Sequence, residues 1–182
     1  MKTKNTLVLL IALALIQYFV PAKMIYDHEI ILRKGKYYKF ISEPIDPSDP
    51  FRGKYMTLDF KERKFRVENT SNWNNNQIIY CQLKNDSAGY AVITDVLTTT
   101  PTSGDYFQAS VDYVELGDTS YLHLDFPFRK LYVEESKAAN TEIEYAKATR
   151  DTTSVAYASV AVYNGNAVIS NVYINENPII KK

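Results

Sequence analysis

Pro44-Ile45-Asp46-Pro47-Ser48-Asp49-Pro50-Phe51-Arg52-Gly53 runs directly into Lys54-Tyr55-Met56-Thr57-Leu58-Asp59-Phe60, and the change of pattern between the two halves decides the fold class. In the first half three prolines hold φ near −65°, aspartates offer carboxylates to nearby backbone N–H groups, and Gly53 opens backbone angles closed to other residues. In the second half the residues alternate. Met56, Leu58 and Phe60 fall on one face and Tyr55, Thr57 and Asp59 on the other, the period of a half-buried strand. The reading is a stiff acidic turn feeding a strand, with Arg52 at the strand mouth beside Asp46 and Asp49.

Working outward, the same composition recurs. Residues 37–41, 54–61, 65–67, 77–83, 90–97 and 106–113 favour β-branched or aromatic side chains and read as strands. Residues 69–76, 84–89, 98–104 and 116–120 are rich in Asn, Ser, Thr, Gly and Pro and read as loops. Two further strands, residues 154–163 and 167–174, flank Asn164-Gly165-Asn166, where Asn-Gly signals a tight hairpin. One segment of this region reads as a helix, Glu134 to Arg150. Acids Glu134 and Glu135 occupy its first turn, Lys147 and Arg150 its last, and a thin stripe of Ala139, Ile143 and Ala146 suits a helix lying on the surface. Short strands at this spacing argue for a mainly β (α+β) domain, a β-sandwich or barrel-like fold with one surface helix, rather than βαβ units.

Toward the N-terminus, Lys2 and Lys4 precede Leu7-Val8-Leu9-Leu10-Ile11-Ala12-Leu13-Ala14-Leu15-Ile16 and Gln17-Tyr18-Phe19-Val20. This is a secretory or membrane address: a cleaved signal peptide, or an uncleaved signal anchor. We favour the anchor. Pro21 suits cleavage poorly, and Met24-Ile25-Tyr26 extends the apolar run toward the ~20 residues needed to span a bilayer. Asp27 to Lys34 reads as a helix leaving the bilayer, ended by Gly35. The domain division is therefore residues 1–34, a membrane anchor with its exit helix, and residues 35–182, a β-rich domain. Lys23, Arg33, Lys34 and Lys36 follow the apolar run, which by charge bias alone would place the domain in the cytoplasm. Large domains translocate largely regardless of such charges, and the charge-led start is signal-like, so we place the domain outside.

The 182 residues carry 21 basic and 21 acidic side chains, a formal charge of +0, which leaves no electrostatic footprint for nucleic acid. With one cysteine, Cys81, no internal disulfide forms, and Cys81 alternates with Ile79 and Leu83 as a core residue would. His28 and His123 make no metal-ligand spacing, and no phosphate loop or cofactor fingerprint occurs, so no metal or cofactor is assigned. His123 alternates with Tyr121 and Asp125 and reads as a surface residue. Trp73 and the 15 tyrosines either line a groove or, as is commoner in β domains, pack the core and cross-strand pairs.

The opening stretch resembles the signature of the bacterial GDYXXLXY family, in which a proline- and aspartate-rich turn and Arg-Gly precede the named motif. Here the motif reads Gly53-Lys54-Tyr55-Met56-Thr57-Leu58-Asp59-Phe60, with lysine in place of the acidic second residue and phenylalanine in place of the last tyrosine. The literal Gly104-Asp105-Tyr106 lacks the leucine and final tyrosine at the required spacing and reads as a decoy. Phe126-Pro127-Phe128-Arg129-Lys130-Leu131-Tyr132-Val133-Glu134-Glu135 is similar to the family's later block. The resemblance implies an anchored domain at the bacterial cytoplasmic membrane and names no chemistry.

Combining the two blocks gives the candidate binding residues Asp46, Asp49, Arg52, Gly53, Tyr55, Arg129, Tyr132, Glu134 and Glu135. An arginine forked between carboxylates binds an anionic ligand or, more often, fixes a loop, and the latter is expected of Arg52. No catalytic residue is assigned, since Ser48 has no histidine near it in sequence. The reading is a single-pass, extracytoplasmic, non-catalytic module contacting lipid through its N-terminal helix and an integral membrane protein through its domain. The alternative is an extracytoplasmic hydrolase using the Asp/Glu/Arg cluster.

Overall fold

The computed structural model describes residues 2–44, 55–132, 145, 148–150 and 154–179. Helix α1 (Lys2–Lys34) is continuous through Pro21 and carries Arg33 and Lys34 in its last turn, where cations complement the helix dipole. Pairs Lys23–Asp27 and Arg33–Glu29, each one turn apart, brace its exposed surface. From Lys4 to Lys34 it is long and apolar enough to cross a membrane, and none of the apolar window is covered by the rest of the molecule.

Gly35 turns the chain from helix to strand, its N–H donating to Ile31 O at 2.8 Å. A side chain there would lie 2.4 Å from the Ile31 carbonyl and 3.1 Å from Val162 N, so only glycine fits. Ile30, Ile31 and Leu32 are half-buried where α1 touches the last two long strands, and Tyr37 OH donates to Leu32 O at 2.6 Å.

The strands are β1 (Lys36–Glu43), β2 (Tyr55–Thr57), β3 (Asp59–Phe60), β4 (Lys64–Val67), β5 (Ile78–Asn85), β6 (Ala91–Leu97), β7 (Asp105–Glu115), β8 (Ser120–Asp125), β9 (Lys130–Tyr132), β10 (Ala156–Tyr163), β11 (Asn166–Ile174) and β12 (Asn177–Pro178). They form two five-stranded antiparallel sheets, ordered β12-β11-β10-β1-β3 and β4-β8-β7-β5-β6, and a two-stranded ribbon, β2-β9. Parallel bridges Lys39↔Tyr90 and Phe107↔Gly165 join the large sheets along two seams, so the strands wrap most of the way round one core. The mainly β, barrel-like reading is what the chain adopts.

Alternation explains the burial. Tyr38 and Phe40 of β1, Ile79, Cys81 and Leu83 of β5, Phe107, Ala109 and Val111 of β7, and Leu122 and Leu124 of β8 all point inward. Phe40, Phe60, Phe107, Phe126 and Phe128 form one aromatic cluster, with centroid separations of 5.1 Å for Phe107–Phe126 and 5.2 Å for Phe107–Phe128. Burial pushes the Cys81 thiol up to about 12, which leaves it an unreactive core residue. Trp73 packs partly buried against the same core, on a loop tied by Asn76 N–H to Val111 O at 2.7 Å. The β10–β11 turn has Asn164 at φ 48° and Gly165 at φ 78°, the left-handed pair that a two-residue hairpin requires.

Two expectations change, and a third falls mostly outside the described residues. The single strand expected over residues 54–61 breaks at Leu58, because β2 pairs with β9 while β3 turns to β1, and a 3-10 turn (Lys61–Arg63) follows. Tyr145 and residues 148–150 are helical, with Tyr145 and Ala148 buried, while the expected stripe of Ala139, Ile143 and Ala146 lies outside the described residues. His123 is not a free surface residue. A bulge in β7 brings Tyr113 opposite it, the two rings stack at 4.1 Å, and Glu115 Oε2 lies 2.7 Å from its Nε2, leaving its side chain 19% exposed.

Candidate functional site

The two sequence blocks meet. Tyr55 lies opposite Tyr132, Met56 opposite Leu131 and Thr57 opposite Lys130, and Leu58 N–H extends the ladder to Arg129 O at 2.7 Å. Beneath it Leu58, Phe60, Phe126, Phe128 and Leu131 are buried together, so the blocks share a piece of core as well as a backbone ladder. Of the candidate binding residues, Tyr55, Tyr132 and Arg129 are thus brought to one ribbon. Asp46, Asp49, Arg52, Gly53, Glu134 and Glu135 lie outside the described residues.

Arg129 projects to Asp125, its Nη1 donating to Oδ1 at 3.0 Å, while its Nε is buried without a partner. Asp125 also forms part of the wall of an open depression of about 270 Å³ with Ile78, Gln108, Ala109, Ser110 and Pro127. Arg129 is 29% exposed against 51% for Asp125, so the pair sits at the rim of the domain, where ion pairs contribute little to stability.

A better-held arginine was missed in the sequence. Arg63 donates from Nε to Leu124 O at 2.7 Å, from Nη1 to Asp59 Oδ1, and from Nη2 to Asp112 Oδ2 at 3.3 Å. Its side chain is 12% exposed. The fork between two carboxylates expected of Arg52 is thus realised at Arg63, with Asp59 supplied by the motif itself. The signal was present as Asp59 and Arg63 four residues apart around the 3-10 turn, but nothing local announces that Asp112 and the Leu124 carbonyl complete it. The Asp105 of the decoy also has structural work, accepting from Lys36 Nζ at 2.8 Å and Tyr38 OH at 2.6 Å and so tying β1 to β7. The Lys36 bond, then the Tyr38 bond, holds its carboxyl below the usual range.

Three polar groups flank the junction of β1 and β3. Burial pushes the Tyr145 phenol up to about 12, and the neighbouring Ser42 hydroxyl, close but outside hydrogen-bond geometry, acts weakly the other way. Glu62, in the 3-10 turn, has Oε2 buried without a partner, and desolvation raises its carboxyl to about 7. Among the described residues no group of three or more His, Cys, Asp or Glu side chains is arranged to hold a metal.

The family model described as "GDYXXLXY protein" matches residues 17–172. The chain belongs to the GDYXXLXY family. The match takes in the end of α1, both blocks of the β2–β9 ribbon and every strand through most of β11, so in this GDYXXLXY chain the motif and the later block are two sides of one ladder. No curated protein and no solved structure matches the chain significantly.

Proposed function

We propose that this GDYXXLXY chain is a single-pass module anchored in a bacterial cytoplasmic membrane, with its β domain outside and its role the binding of an integral membrane partner rather than catalysis. The observation that carries the reading is the rigid junction. α1 runs without a break from its apolar segment into Ile30–Leu32, which pack on the domain, and Gly35 admits no slack. A removable leader has no need of such docking, whereas an anchor that fixes the domain at the bilayer surface does. β1 leaves the helix at Lys36 and pairs with β3 at Ser42 and Glu43, about 20 to 23 Å away at strand rise, so the β2–β9 ribbon is displayed at the end of the domain remote from the helix. Residues 1–34 and 35–182 are then anchor and reader. Arg52, with Asp46 and Asp49, serves as the clamp that shapes the turn leading into the ribbon.

Cross-linking of the full chain in intact cells, followed by identification of co-purified proteins, tests this. An integral membrane protein recovered by the wild type and lost with Arg129→Ala is the expected result. Turnover of an ester, peptide or glycan by the purified full chain would favour the hydrolase reading. Protease protection in spheroplasts tests the side, and a domain shielded until the membrane is broken overturns the outside placement.

A further inference from the structure

We infer that this chain pairs with a second copy of itself inside the membrane, through the α1 face that carries Ala14, Gln17 and Pro21; the inference rests on the anchor reading above. Gln17 is exposed on the helix, flanked by Ile16 and Tyr18 and facing no other part of the molecule. Lys4 and the Lys23–Asp27 pair bound the apolar run, and Gln17 lies six residues inside Lys23, about 9 Å of helix rise, within the hydrocarbon. Lipid tails offer no hydrogen-bond partner, so an amide there must find one on protein.

A second observation falls on the same turn. Pro21 stands four residues after Gln17 inside a continuous helix and carries no N–H, so the Gln17 carbonyl loses its usual helical donor. Each copy therefore presents two N–H donors, from the Gln17 amide, and two acceptors, the Gln17 side-chain oxygen and its freed backbone carbonyl. This set is complementary to itself. A parallel second copy presents it at the same depth by construction, whereas an unrelated helix would have to supply a match.

The spacing supports a seam. Leu10, Ala14, Gln17, Pro21 and Met24 recur at alternating intervals of four and three residues, the period of packed helices, and Ala14 lets the backbones approach. Leu10 and Met24 are exposed, 62% and 68%, so the face is open to a partner.

The test uses the full chain in native membranes. Oxidative cross-linking of Ala14→Cys is expected to give dimer and that of Phe19→Cys, on the opposite face, to give little, while buried Cys81 adds no background. Adding Gln17→Leu to Ala14→Cys should reduce the yield, and in mild detergent Gln17→Leu should raise the dimer dissociation constant about 3- to 30-fold, the range found for side-chain hydrogen bonds between membrane helices. Gln17→Asn, which keeps the amide, should retain most of the dimer, and an unchanged melting temperature confirms an intact domain. Equal cross-linking at both positions, or a yield insensitive to Gln17→Leu, overturns the inference. So does a monomeric chain that recovers a different membrane protein through Gln17. Those results leave the anchor standing, whereas recovery of a soluble chain cleaved ahead of Lys23 removes the anchor reading and this one with it.

Discussion

At the scale of single residues, Glu62 and Arg63 stand next to each other in the 3-10 turn and lead to opposite expectations. Glu62 is an acid whose folded-state value is raised, from 4.5 to about 7, so the folded protein holds a proton that the unfolded chain has released. Its contribution is most favourable below pH 4.5 and is lost as pH rises through about 7. Asp105 and Glu115 act the other way: with Lys36, and with His123 and Lys64, holding their carboxyls low, they stabilise above the ordinary carboxylate range, and that contribution is lost as pH falls. Melting temperature is therefore expected to peak at mildly acidic pH and to fall toward pH 8. In Glu62→Gln the fall between pH 5 and 8 should flatten, and an unchanged slope in thermal melts would remove Glu62 as its source. Arg63→Ala leaves Asp59 facing Asp112 without a cation and the Leu124 carbonyl without its donor. A fully buried pair broken from one side costs about 3 to 5 kcal/mol. Since Asp59 and Asp112 keep some solvent, about 2 to 3 is expected, and urea titration of the variant measures it. Arg63→Lys should recover little, because an ammonium cannot serve three acceptors in a plane.

At the scale of elements, the seams between sheets matter more than the sheets. Gly165 closes the β10–β11 hairpin at φ 78° while its carbonyl accepts from Gln108 N–H at 2.8 Å, so one residue serves as hairpin turn and as barrel seam. A Cβ there would meet the Tyr106 ring at 2.8 Å. Gly165→Ala carries the left-handed backbone cost of roughly 1 to 2 kcal/mol and must also move the ring, so a total of about 2 kcal/mol or more is expected in denaturant titration. Gly89, also left-handed at φ 85° but with open space around its Cβ position, is the control. Gly89→Ala should cost only the backbone part. Equal losses at both would mean that the Tyr106 ring gives way at no cost.

At the scale of the whole molecule, the last turns of α1 belong energetically to the domain. A soluble fragment that begins at Asp27 keeps the packing of Ile30, Ile31 and Leu32 and the acceptor for Tyr37 OH, whereas one that begins at Gly35 exposes the β10–β11 surface beneath them. Half-burial of three large aliphatic side chains stabilises by roughly 2 to 4 kcal/mol, so the longer fragment should melt several degrees higher. Matching melting curves would show that the helix merely abuts the domain. Such a result would also weaken the rigid junction on which the anchoring proposal rests.

What the sequence determined by itself was local. Alternation named the inward face of β5 and the outward face of β8, Asn164-Gly165 named the hairpin, and the apolar run named the helix, because side-chain period and turn geometry are written within a few residues. The aromatic and proline pattern also sufficed to mark two blocks as belonging to one family. That those blocks face each other as β2 and β9, that Leu58 is where the strand changes partner, and that Arg63 gathers Asp59, Asp112 and the Leu124 carbonyl were decided only in three dimensions. His123 shows the same limit: alternation puts it on the outer face of β8, but its stacking partner Tyr113 is set by a bulge in the neighbouring strand. Strand pairing joins residues tens of positions apart, and its choice depends on which whole set of faces closes over a common core.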